Sequence, residues 1–170
     1  DLKINDIPQT ALSAIDSLKD LKRCKYITVH ANGGVEMLKA VKNKAKKINK
    51  NLKILGVTVL TSLNNKSLKQ IGHTKKIEEL VLTQASLIKK SDCDGIICSP
   101  NEVKYLKKIC KGMEIITPGI RLKGDSLQDQ KRVTSPKDAF NNGATGIVIG
   151  RSITKGNISK NLKNLISHLS

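Results

Sequence analysis

Asp1-Leu2-Lys3-Ile4-Asn5-Asp6-Ile7-Pro8-Gln9-Thr10 opens the chain. Leu2 and Ile4 alternate with Asp1 and Lys3, the period of a β-strand near its end. That period places Asp1 and Lys3 on one face. Asp6 comes where the strand gives way to a loop, and Pro8 suits the first turn of a helix. A lysine between two carboxylates stays charged, is held in place and creates a strong local field. An exposed ion pair at a strand end would have the same sequence and contribute little. Residues further along the chain decide between the two.

Outward from this stretch, short apolar runs alternate with helical periods. Tyr26 to Ala31, Lys53 to Leu60, Gly95 to Ser99, Glu114 to Thr117 and Gly146 to Gly150 read as strands. The run Lys53 to Leu60 is almost continuously apolar, as buried parallel strands are. Between them, Ala11, Ile15, Leu18 and Leu21, then Met37, Leu38, Val41, Ala45 and Ile48, recur at helical spacing. So do Ile77, Leu80, Val81, Leu87 and Ile88, and Val103, Leu106 and Cys110. Ser135-Pro136 starts a short helix through Phe140, and Ile158, Leu162, Leu165 and Ile166 mark an amphipathic last helix. Alternating strands and helices without a hairpin signal predict a parallel α/β sheet.

Counting the opening strand gives six βα units. Polar and special residues gather at the strand ends: Asp1 and Lys3, His30, Thr61 and Ser62, Ser99, Arg121, Arg151. A TIM (β/α)₈ barrel builds its active site at that rim and takes about 250 residues, so six of eight units need roughly 190. The 170 residues are therefore expected to form one domain, residues 1–170, covering strands 3–8 of such a barrel.

Composition narrows the function. Net charge is +17, from 27 lysines and four arginines against 14 acidic residues. Such a balance can serve nucleic acid, but the lysines are scattered along helical stretches and aromatics are only 2%. A single-strand binder needs aromatic platforms, so solvated helix faces are the better reading. No apolar run reaches the ~20 residues of a membrane span, and no secretory leader is read at the start. Cys24, Cys93, Cys98 and Cys110 show no CxxC spacing. Free thiols in a reducing, cytoplasmic setting are expected, with Cys98 buried and no metal site.

Gly150-Arg151 after the last strand, with Pro118-Gly119-Ile120-Arg121 after the one before, suits a phosphate site, which barrels often build after strands 7 and 8. Glycine lets a backbone N–H approach the anion and arginine adds a bidentate fork. Gln130, on the long polar loop from Leu122 to Arg132, adds a neutral donor. His30 reads as a histidine of the core before it reads as a base. No Ser-His-Asp set and no GxGxxG fingerprint is present. A lysine acid, two carboxylates and a phosphate clamp suit a cofactor-free reaction on a phosphorylated small molecule, in which a carbanion forms and is protonated.

These residues resemble those of the orotidine 5′-phosphate decarboxylase family. Asp1 to Thr10 is similar to the family's Asp-x-Lys-x-x-Asp-Ile-Pro-x-Thr signature. Val29-His30-Ala31-x-Gly33-Gly34, Val57 to Ser62, Pro118 to Arg121, Asp129-Gln130 and Ile149 to Arg151 fall in the family's order. The resemblance runs over essentially the whole chain. It implies decarboxylation of orotidine 5′-phosphate to uridine 5′-phosphate, without cofactor or metal, in de novo pyrimidine synthesis. Lys3 then matches the proton donor to C6, and Asp1 and Asp6 the carboxylates that hold it. Thr61 matches a residue at the pyrimidine, with Ser62 beside it. Ile7, Thr10 and Pro118 join the substrate-binding set, and Arg121, Gln130, Gly150 and Arg151 match the phosphate grip. Residues matching Asp6 and Thr10 reach the partner's site in the family, so the resemblance implies a cytoplasmic homodimer with shared sites.

The family also carries, on its first two strands, an Asp at the ribose and a Lys in the charged array. Neither is in this chain, so an N-terminally truncated barrel of low activity is expected. Three alternatives stand beside the decarboxylase. They are a Mg²⁺-dependent phosphosugar lyase or synthase of the same barrel, such as hexulose-6-phosphate synthase, an inactive remnant, and a basic nucleic-acid-binding module.

Overall fold

The computed structural model describes residues 2–122 and 134–169. Five parallel strands form one sheet in the order β1-β2-β3-β4-β5. They are β1 (Tyr26–His30), β2 (Lys53–Val57), β3 (Gly95–Ile97), β4 (Glu114–Thr117) and β5 (Gly146–Ile147). Spatial order tracks chain order with no reversal. A doubly wound sheet reverses at a switch point, whereas a barrel winds in one direction. The sheet is thus an arc of a barrel wall.

Tyr26 pairs with Lys53 at the start of β1 and His30 with Val57 at its end. Leu55 pairs with Gly95, Gly95 with Glu114, and Ile116 with Gly146. The opening stretch joins this wall at one residue, where Ile4 bridges Val29 in parallel. The expected first strand is therefore a single bridge among the described residues. Period 2 does not run through it, because Lys3 has φ +48°, a left-handed conformation instead of an extended one. Asp1 lies outside the described residues.

Eight α-helices, among the described residues, connect and cover the strands. They are α1 (Pro8–Asp16), α2 (Gly34–Ile48), α3 (Asn65–Gln70), α4 (Ile77–Lys90), α5 (Val103–Ile109), α6 (Pro136–Asn142), α7 (Arg151–Thr154) and α8 (Ile158–Leu169). α2 buries Met37, Leu38, Val41 and Ala45, and α4 buries Leu80, Val81, Gln84, Ala85 and Ile88, each a helical stripe turned to the core. They meet Ile27 and Val29 of β1, Ile54 of β2 and Ile96 of β3 in one apolar cluster. α4 approaches β2 closely: a Cβ on Gly56 would lie 2.4 Å from Ile88 Cγ1. Ser99 and Glu102 cap the turn into α5 reciprocally, and Ser135 caps α6, its Oγ accepting from the Asp138 N–H at 3.1 Å.

Several elements differ from expectation. β2 stops at Val57, not Leu60: the Thr58 N–H still donates to the Ile97 carbonyl at 3.1 Å, and Val59 and Leu60 then line the strand-end cavity. α3, six residues capped by the Asn64 side chain, is too short and polar to show a period. β5 is two residues long, with Val148 48% exposed. α8 is amphipathic, yet none of its residues is buried. Its apolar face carries Ile158, Leu162, Ile166 and Leu169, all exposed.

The opposite rim is tied by charge. The Lys42 ammonium meets both oxygens of Asp94, just before β3, at 2.6 Å. Asp94 Oδ2 also accepts the Ile54 N–H at 2.7 Å. Lys53 and Glu114, the first residues of β2 and β4, form a second pair.

Candidate active site

At the C-terminal rim, the turns after β2 and β4 and the opening stretch converge on a cavity of about 280 Å³. Lys3, Thr61, Ser62 and Pro118 line it. Its walls are Val57, Val59, Leu60, Ile97, Cys98 and Val148. Lys3 itself is exposed, and it meets two hydroxyls and an otherwise apolar wall at this cavity. Thr61 is 9% exposed and Cys98 1%, so the floor is closed. The turn at Pro118-Gly119 needs its glycine, since Gly119 has φ +77°, which side chains with a Cβ disfavour. A cleft of about 370 Å³ between α3, α4 and α5 lies in the helical layer and contains none of the strand-end residues named above.

Lys3 is held from β1. Its N–H donates to Thr28 Oγ1 at 3.0 Å. The next N–H, of Ile4, donates to the Thr28 carbonyl at 3.0 Å, and the Ile4 carbonyl accepts from the His30 N–H at 2.8 Å. His30 is half-buried and turned to a second cavity of about 230 Å³, which shares Val59 and Leu60 with the first. Burial, then the Lys3 charge, lowers the pKa of His30 from its ordinary value. Both favour the neutral imidazole over the charged one. Asn5, Asn32, Thr58, His73 and Gln84 also line this chamber. Gln84 Nε2 donates to Asn32 Oδ1 at 2.8 Å.

The remaining residues expected at the site lie elsewhere. Asp6, Ile7 and Thr10 are exposed and do not line the Lys3 cavity. Asp6 Oδ1 accepts the Ile7 N–H at 2.7 Å, closing the turn that enters α1. Arg121 is half-buried; its N–H donates to the Thr134 carbonyl at 3.0 Å, and Nη1 donates to the Ile120 carbonyl at 2.9 Å. Gly150 caps α7 and Arg151 is its exposed first residue. Asp1 and Gln130 fall outside the described residues. Within one chain, then, Lys3, Thr61, Ser62 and Pro118 share a cavity, and Asp6, Ile7, Thr10, Arg121, Gly150 and Arg151 do not line it.

Sequence reasoning missed Thr28 and the apolar wall. Thr28 sits between Ile27 and Val29, which are buried. Strand alternation points it to the opposite face, the one signal available. Cys98 is a buried thiol, as expected. All four cysteines are free, and burial, with Asp94 beside it, pushes the Cys93 thiol up to about 12. Among the described residues no three His, Cys, Asp or Glu side chains gather as a metal site. No helix among them is long and apolar enough to cross a membrane.

A singly wound parallel sheet with a lysine-bearing cavity at the carboxyl ends of its strands defines a barrel-type protein that works at its strand-end loops. The profile of the "Orotidine 5'-phosphate decarboxylase / HUMPS family" matches residues 1–161. The chain belongs to that family. It is 45% identical over 157 residues to an orotidine 5′-phosphate decarboxylase of Staphylococcus saprophyticus, covering 91% of this chain and 68% of the relative. The crystal structure of orotidine 5′-phosphate decarboxylase from Lactobacillus acidophilus superposes with a TM-score of 0.83 at 32% identity, over 99% of this chain and 73% of that one. The orotidine 5′-monophosphate decarboxylase from Methanocaldococcus jannaschii, complexed with the inhibitor BMP, superposes at 0.73 with 25% identity, over 99% and 71%. This chain is thus similar to about seven-tenths of each.

Proposed function

We propose that this protein decarboxylates orotidine 5′-phosphate to uridine 5′-phosphate, the step that completes a pyrimidine nucleotide, with Lys3 as proton donor. The observation that carries this reading is that Lys3 lines one cavity with Thr61, Ser62 and Pro118, in a chain whose relatives are orotidine 5′-phosphate decarboxylases.

The residues expected at the site from the family resemblance suit each step of that chemistry. The bond between C6 and the carboxylate breaks, its electron pair stays on C6, and carbon dioxide leaves. That carbanion has little resonance relief, so a preorganised cation must stabilise it. Lys3 supplies the charge, then transfers a proton to C6 and regains one from solvent. In this reading Asp1, together with Asp6 reaching in from a second copy of the chain, holds the ammonium and crowds the substrate carboxylate. Thr61 and Ser62 take the pyrimidine edge. Arg121, Gln130, Gly150 and Arg151 take the phosphate, whose binding energy, remote from C6, serves the transition state. Each tenfold in rate requires about 1.4 kcal/mol, so large acceleration draws on all these groups together.

We further propose a homodimer. Asp6, Ile7 and Thr10 are exposed and lie away from the cavity of their own chain, an arrangement that suits donation to a partner's site. Ile7, 67% exposed, is an apolar side chain fit to be covered there.

The test is conversion of orotidine 5′-phosphate by the purified protein, compared with Lys3→Ala. Loss of nearly all turnover in Lys3→Ala supports the reading, and a near-normal kcat defeats it. The family description also covers HUMPS proteins. A phosphosugar lyase or synthase of that branch requires Mg²⁺, so turnover that persists in excess EDTA separates the two.

A further inference from the structure

Lys3 and Asp92 are the non-glycine residues with positive φ, +48° and +54°, among the described residues. Asp92 comes just after the last turn of α4, where a left-handed residue ends a helix and Asp tolerates the conformation. No helix ends at Lys3. A bulky side chain is held left-handed only where surrounding contacts impose it, and such residues gather at functional sites.

Two of these contacts come from one residue. In an extended strand, successive N–H groups point to opposite sides. The left-handed turn at Lys3 brings two successive N–H groups to the same side, and both are received by Thr28. Its Oγ1 accepts from Lys3 and its carbonyl from Ile4, each at 3.0 Å. The carbonyl bond is ordinary parallel pairing and any residue at position 28 could make it. The bond to Oγ1 is an addition that only a side chain with an acceptor can make. Without it the Lys3 N–H loses this acceptor, and the left-handed conformation loses a contact that favours it over the extended one. Extended backbone would swing the Lys3 side chain away from its present course into the cavity with Thr61 and Ser62.

We infer that Thr28 is the positioning residue of Lys3: its hydroxyl holds the lysine's backbone left-handed and so aims the ammonium into the cavity. This rests on Lys3 being the proton donor, and it adds a residue of β1 that touches no reacting atom. The left-handed turn also bears on the Asp-x-Lys spacing: Asp1 and Lys3 need not share a strand face for both to serve one site.

The experiment uses the full chain with Thr28→Val, which keeps the β-branched shape without an acceptor of this kind, and Thr28→Ser, which restores the hydroxyl. Two readouts are taken. The first is hydrogen exchange of the Lys3 amide by NMR, which needs no turnover. Exchange should be about tenfold faster in Thr28→Val, the loss of one hydrogen bond, and near wild type in Thr28→Ser. The second is conversion of orotidine 5′-phosphate. In Thr28→Val kcat should fall about tenfold or more with KM little changed, and Thr28→Ser should recover most of it. Unchanged Lys3 exchange in Thr28→Val overturns the inference, as does faster exchange with normal kcat. A loss of kcat that Thr28→Ser fails to rescue also counts against it, since it would reflect general damage to β1. Absence of turnover in the wild-type chain would instead count against the decarboxylase reading, and the exchange arm would still decide whether Thr28 sets the Lys3 backbone.

Discussion

Gly56→Ala tests how tightly the helical layer grips the strand that leads into Thr61 and Ser62. A methyl group at position 56 would lie 2.4, 2.6 and 2.7 Å from Cγ1, Cδ1 and Cγ2 of Ile88. Ordinary carbon contacts are about 3.5–4.0 Å, so all three atoms are more than half an ångström too close. Ile88 is 0% exposed and cannot swing into solvent. Either its rotamer leaves a staggered well or α4 moves outward. Overpacking of this kind costs about 1–3 kcal/mol. In a chain of this length each kcal/mol lowers the melting midpoint by about 2–4 °C. Urea unfolding at constant m-value is the direct assay. A double-mutant cycle sharpens it: Ile88→Ala alone should cost about 2–5 kcal/mol for the cavity, but it removes all three clashing atoms. Gly56→Ala/Ile88→Ala should therefore be more stable than the sum of the single losses requires. A Gly56→Ala chain as stable as wild type, or strictly additive losses, would refute the close approach of α4 to β2.

Charges at both rims give further expected outcomes. Folding lowers the pKa of His30, by burial and then by Lys3, so the unfolded chain takes up its proton first as pH falls. Stability should drop below about pH 6.5, and His30→Gln should flatten that drop in melts from pH 7 to 5. For Glu114, burial acts to raise the pKa, but hydrogen bonds from Lys53 and Tyr26 outweigh it and the net shift is downward. Its contribution is present above the ordinary carboxylate value and is lost on further acidification. Acid unfolding of Glu114→Gln should lose that segment of its pH dependence. Arg151→Ala should raise KM for orotidine 5′-phosphate about tenfold or more, the loss of a charge-assisted phosphate contact, with a smaller effect on kcat; steady-state kinetics decide it.

The alternation of apolar runs and helical periods was enough to read a parallel α/β wall, and Lys53 to Val57, Gly95 to Ile97 and Glu114 to Thr117 lie where their apolar runs placed them. Strand ends were less legible. Val59 and Leu60 look like strand because they are apolar, yet they are wall residues of a cavity, and burial against a ligand space has the same composition as burial against a helix. The opening stretch shows the limit most plainly. Its alternation suggests strand, but Lys3 is left-handed and its N–H is received by Thr28 of a neighbouring strand, and no local pattern in Asp1 to Asp6 announces a contact 25 residues away. Lys3, Thr61 and Ser62 were read from chemistry at strand ends and Pro118 from the family resemblance, and the four line one cavity. Thr28 was not, since a threonine in a β-strand is ordinary on propensity alone.

The two ion pairs at the start of the strands and the cavity at their far ends sit on opposite edges of the same wall, with the apolar cluster between them. Lys42 with Asp94, and Lys53 with Glu114, anchor strand entry without sharing any residue with the Lys3 cavity. Tolerance and chemistry are thereby separated in space. Loops that carry ligand contacts can vary while the anchors keep the strands in register, and ionic strength should act on thermal endurance more than on substrate choice.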